Sequence, residues 1–136
     1  MLNVEDPKRQ VRIKVSCPRV LGTATSTWCL PCIPYAVDNE GDFFVPKVGD
    51  TVWVEFEEGD VNKPIWSGGW YSENKIPISS SESIDRKRVF AYNGSRIEIS
   101  SDSIDITVQG NTLSLTSSTI DTLQYLIDNA HSFRRD

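Results

Sequence analysis

Cys29 and Cys32 stand at the CxxC spacing that zinc sites and thiol redox centres use, and Cys17 lies nearby in sequence. A tetrahedral zinc site needs about four ligands, usually two such pairs or one pair with two histidines. The chain offers no second pair, and its one histidine, His131, lies in a different segment near the C-terminus. A thioredoxin-like centre requires a βαβ context that the surrounding sequence lacks. An odd number of cysteines also argues against a disulfide framework. The three cysteines therefore read as small buried hydrophobes of a β-rich core, and neither metal nor cofactor is expected.

Other catalytic groupings are equally thin. His131 has no obvious Ser or Cys partner for nucleophilic chemistry. Glu55, Glu57, Glu58 and Asp60 crowd one short stretch, where solvation accounts for them. Nothing in their pattern sets two carboxylate pKa values apart, as a paired-carboxylate hydrolase requires. Gly68 and Gly69 lack the helix and Lys-Ser/Thr that a phosphate loop carries. Basic residues gather at Lys8, Arg9, Arg12, Lys14 and Arg19 and again at Arg86, Lys87 and Arg88. Both clusters read as solvated positions, on a strand edge and in a linker. The chain is not expected to be an enzyme.

Composition says what must position these residues. A chain of 136 residues suffices for one core plus an appendage. Seven prolines and eight glycines among short alternating runs favour an all-β body. No run approaches the roughly 18 apolar residues of a membrane helix, and the N-terminus has no signal-type apolar stretch, so no stable membrane insertion is expected. The net charge of −5 opposes phosphate binding, which needs a basic groove.

Residues 46–70 are the most informative stretch. Val52, Val54 and Phe56 alternate with Trp53, Glu55 and Glu57, the period of a two-faced strand. Gly49 and Asp50 mark a turn before it, and Glu58, Gly59 and Asp60 mark one after it. A second strand, from Pro64 to Ser67, ends at Gly68 and Gly69. Together they predict a hairpin within a small barrel.

This hairpin follows three further segments, residues 11–20, 30–35 and 41–50, and precedes Gly68, Gly69 and Trp70. In that order the set resembles the OB-fold domain of phage baseplate spike proteins, a family that includes the valine-glycine repeat proteins of type VI secretion. The resemblance covers residues 8–72, and Pro46, Gly49, Asp50, Trp53, Phe56, Gly59, Asp60, Pro64, Gly68 and Gly69 carry its motif.

After Trp70 the organisation changes. Residues 71–88 are rich in Ser, Pro and charge and read as a linker or long surface loop. Alternation returns at Ile97 and Ile99, then Ile104, Ile106 and Val108, then Leu113 and Leu115, predicting three short strands with one apolar face. About twenty residues cannot enclose a core alone, so this face must pack on the barrel or on copies of itself. Each strand is also an edge open to pairing with another chain. A helix follows, with Ser118 or Thr119 as N-cap and Asp121 near its start. Ile120, Leu123, Ile127 and Ala130 form its stripe, flanked by Leu126 and Phe133, and Arg134 and Arg135 suit its end.

The expected architecture is all-β, with an OB-fold domain at 1–72, a linker at 73–90, an intertwined shaft at 91–117 and a terminal helix at 118–136. The resemblance implies a homotrimer with a β-prism or β-helix stub, buried through Ile97, Ile99, Ile104, Ile106, Val108, Leu113, Leu115, Ile120, Leu123 and Ile127. It further implies a baseplate hub protein and a separate spike-tip protein as partners. The place of action would be the virion tail, after synthesis in a host cytoplasm, and the role would be to help pierce the host envelope. The chain departs from the better-known members in lacking a lysozyme-like domain, long octad repeats and a His-x-His pair. Single-stranded nucleic-acid binding, cell-wall hydrolysis and a non-spike baseplate adaptor are the alternatives.

Overall fold

Tyr71 and Ser72 mark the division between two units of the chain, whose computed structural model describes residues 1–79 and 82–130. In the first unit a short helix, α1 (Pro18–Leu21), precedes β1 (Leu30–Pro31). A small hairpin of β2 (Ala36–Val37) and β3 (Glu40–Gly41) follows, then β4 (Trp53–Phe56) and β5 (Pro64–Ser67). The last two form the antiparallel hairpin that the alternation predicts, with Val54 opposite Trp66 and Phe56 opposite Pro64. Glu57 departs from the expected alternation, because it already begins the single 3-10 turn Glu57–Gly59.

Pairing continues around a ring. β1 lies parallel to β5, with Leu30 beside Ile65. Single bridges link Cys29 to Ile13 and Lys14 to Asn3. The ring closes where the Gly49 amide donates to the Met1 carbonyl at 3.2 Å and the Met1 amino group donates to the Asp50 carbonyl at 3.0 Å. Taken in chain order as residues 1–3, 13–16, 29–31, 49–56 and 64–67, the five segments follow the spatial order first, second, third, fifth, fourth and back to first. That is a small Greek-key barrel of the OB type.

Ile13, Val15, Cys29, Pro64 and Trp66 are buried inside it, with Val54 half-buried on the core face of β4 and Val52 half-buried just before that strand. Burying an indole requires a partner for its N–H. Trp66 Nε1 donates to the Val11 carbonyl at 3.0 Å.

The second unit carries a four-stranded meander of β6 (Arg88–Tyr92), β7 (Ser95–Ile99), β8 (Ile104–Val108) and β9 (Asn111–Leu115). Three of these strands were expected; β6 is additional and straddles the boundary between the segments read as linker, 73–90, and shaft, 91–117. Every neighbouring pair is antiparallel and in continuous register. The expectation that each strand is an edge is corrected by this pairing. β7 and β8 are bonded on both sides, so among the described strands of this sheet only β6 and β9 present edges.

The helix α2 (Ser117–Asp128) follows at once. Its N-cap is Thr116 rather than Ser118 or Thr119: the Thr119 amide donates to Thr116 Oγ1 at 3.2 Å. A Thr that ends a strand in extended backbone can cap the next turn without an intervening loop. The expected terminal roles of Phe133, Arg134 and Arg135, and His131 itself, lie outside the described residues.

Candidate interaction surfaces

The CxxC pair is split by the fold. Cys29 is buried, Cys32 is exposed and Cys17 is half-buried; all three are free thiols. The expectation of three buried cysteines therefore holds for Cys29 alone, since residues 29 and 32 fall on opposite faces where β1 leaves the barrel. Burial pushes the Cys29 thiol pKa up, against a weaker contact with Ser26. Among the described residues, no group of three or more His, Cys, Asp or Glu side chains could hold a metal ion.

Two basic residues expected to be solvated are engaged. Arg12 closes on Asp6 at 2.5 Å and lies over the Trp28 ring, 5.5 Å from its centroid, and Lys14 lies over the same ring at 5.1 Å. The Asp6 side chain is 3% exposed and also accepts the backbone amides of Lys8, Gln10 and Arg12. The Arg12 hydrogen bonds, helped by those amides, hold its carboxyl well below the usual aspartate range, against the opposing effect of burial. Nothing in the sequence periodicity announces this cluster; only Asp followed by Pro, a turn signal, stands near it.

The motif residues of the hairpin serve turns and a flat outer face. Asp50 accepts the Lys47 amide at 2.7 Å and so closes the turn that begins at Pro46 and passes through Gly49. Asp60 accepts the Asn62 amide at 2.9 Å beyond Gly59, and Pro64 is buried beside Phe56. Gly68 accepts the Trp53 amide at 3.3 Å. At Gly69 any Cβ would meet the Thr51 carbonyl at 3.1 Å, which makes glycine the fitting residue there. Trp53 points outward, 59% exposed, and lies 4.9 Å from the Trp70 ring. Leu30, Ile65 and Glu55 form the next outward row of the same sheet.

The second unit presents an aliphatic face. Register places Phe90, Ile97, Ile106 and Leu113 in one row, and Ile99, Ile104 and Leu115 in the row beside it. Val108 sits in the third row with Tyr92. All of these are exposed except Leu115, which is half-buried. Phe90 and Tyr92 were not expected from the sequence; the signal that could have found them is the β-branched and aromatic content of Val89, Phe90 and Tyr92 rather than alternation. On α2, Ile120, Leu123, Leu126 and Ile127 are exposed as well.

The barrel, its motif turns and its outward aromatic pair now stand together. The family model described as the type VI secretion system/phage-baseplate injector OB domain matches residues 1–71, just over half of the chain. The chain belongs to that family. The baseplate injector family is one of structural parts of phage and type VI machines, which places this OB unit in a baseplate component. No curated protein matches the chain. Among the described residues, no helix of this baseplate OB protein is long and apolar enough to cross a membrane.

Proposed function

We propose that the chain is a structural spike or hub component of a contractile injection baseplate and that it works as a homotrimer. The OB unit docks against a hub protein, and the meander packs into a short shaft with two other copies. The helix closes the end of that shaft. The observation that carries this reading is the exposed aliphatic face of the meander. A sheet face of this kind, rimmed by polar turns, marks an association surface rather than a solvated one. Burying it contributes roughly 25 cal/mol per Å² of apolar surface removed from water.

Family membership supports the baseplate setting, and the aliphatic face supports self-association within it. A rigid trimer pushed by the tail tube would load the host envelope mechanically, and no covalent chemistry is required of the chain. A separate tip protein would extend the shaft. The acidic hairpin residues Glu55, Glu57 and Glu58 argue against a nucleic-acid role for the OB unit.

Light scattering behind a sizing column tests the reading. The expected mass is about three times the 15.3 kDa of one chain, persisting on dilution. A monomer overturns the shaft and leaves a baseplate adaptor.

A further inference from the structure

The polar face of the meander holds Arg96, Glu98, Asp105, Thr107, Thr112 and Ser114. Register sets Glu98 directly opposite Asp105, a like-charge pair that destabilises a sheet unless a cation intervenes. One cation comes from outside the sheet and a second from β7 itself. Lys87 Nζ donates to Glu98 Oε1 at 2.5 Å and to Glu82 Oε1 at 2.6 Å. Arg96 Nη2 donates to Glu98 Oε2 at 2.5 Å and to the Pro77 carbonyl at 2.8 Å. Residues 77, 82 and 87 of the approach to β6 are thereby tied to β7, and the Glu98 side chain is only 14% exposed.

We propose that Glu98 is a latch that seats Pro77, Glu82 and Lys87, described residues of the approach segment, on the Glu98 side of the meander's polar face. The polar face is thereby covered around Glu98, whereas Thr112 and Ser114 at its far edge stay exposed. The described residues of the segment read as a linker then belong with the second unit, held to it through Glu98.

The charges around the latch set its pH range. Glu98 faces Lys87 and Glu82 from the segment, Arg96 on its own strand, Asp105 on β8 and uncharged Val89 on β6. Lys87 holds the Glu98 carboxyl below the ordinary 4.5, and it holds Glu82 below that value too. The Lys87 ammonium is in turn held above 10.5, first by Glu82 and then by Glu98. Two depressed acids and one raised base keep the latch shut through the neutral range. It opens only as pH falls below the ordinary glutamate range.

Hydrogen–deuterium exchange on the full chain at neutral pH tests this. Glu98→Gln should speed exchange in residues 73–79 and 83–87 by about tenfold, with strands 104–115 little changed. Lys87→Met is the second variant. It should free the same segment and also loosen β7 from β8, because Arg96 alone is then left to offset the facing Glu98 and Asp105. If Glu98→Gln leaves the segment's exchange unchanged, or speeds the whole unit equally, the latch is overturned. It is overturned as well if Glu98→Gln does not fold and Lys87→Met leaves the segment protected. This inference does not depend on the trimer, since exchange in a monomer would read it equally well.

Discussion

Ile97 and Glu98 are neighbours in β7 that point to opposite faces, and the charged one is the better covered. Ile97 is 42% exposed, whereas the Glu98 side chain is 14% exposed beneath Lys87. A monomeric sheet normally hides its aliphatic face and wets its polar face. The inversion here is why the second unit is read as an incomplete body.

Replacing Ile104 and Ile106 with Asp puts two carboxylates in the centre of the aliphatic face. The expected outcome is a fall from trimer to monomer in light scattering, with the tryptophan signal of the OB unit unchanged. A double variant that keeps the trimeric mass would rule this face out as the interface.

The OB core should respond to cavity formation at Ile13, which has no exposed surface. Ile13→Ala should cost about 2–5 kcal/mol and Ile13→Val about 1 kcal/mol, read from denaturant unfolding followed by tryptophan fluorescence. Equal midpoints for the two variants would mean that the site collapses around the lost methyls.

Asp6 gives the OB unit an acid-sensitive element. Its carboxyl titrates far below the ordinary 3.8, because Arg12 and three amides hold the charged form. The stabilisation is therefore fully present above the unfolded aspartate value and fades as pH falls through the depressed folded one. Asp6→Asn should lower the melting temperature at pH 7 and flatten its decline towards acid. A variant whose melting temperature falls as steeply with acid as the parent's would show that other carboxylates govern this limb.

Thiol labelling should separate the cysteines. A thiol-specific reagent at neutral pH should modify exposed Cys32 readily and leave Cys29 unmodified until the OB unit unfolds. Mass spectrometry of the labelled peptides reads the order directly, and early labelling of Cys29 would contradict its burial.

Thr116→Ala should shorten or fray α2, costing about 1 kcal/mol of helix stability through the lost cap. Loss of far-UV helical signal without loss of sheet signal is the expected readout.

The hairpin of the OB unit was legible because its two faces differ: Val54 and Phe56 turn inward while Trp53 and Glu55 turn out. The order of the barrel was not legible. It depends on single bridges such as Ile13 to Cys29, which leave no period in the sequence. β6 escaped notice because Arg88, Phe90 and Tyr92 alternate with Val89 and Ala91, so both faces carry apolar residues. The Asp6–Arg12 and Lys87–Glu98 pairs follow no helix or strand period, and charge counting alone assigned Arg12 and Lys87 to solvent. Trp53 was legible as lying on the face opposite Val54, whereas its ring neighbour Trp70 lies beyond the end of β5, outside any strand period.

The closure of the barrel between Met1 and Asp50 has a kinetic consequence. Its pairings join residues 1 to 50 and 30 to 65, so much of the chain must loop before they form. The meander joins only strands adjacent in sequence. Folding slows as the average sequence separation of native contacts grows. The meander should therefore form well before the barrel on refolding from denaturant, offering its aliphatic face while the OB unit is still open. Productive refolding then becomes a race between association and aggregation, and its yield should depend on chain concentration.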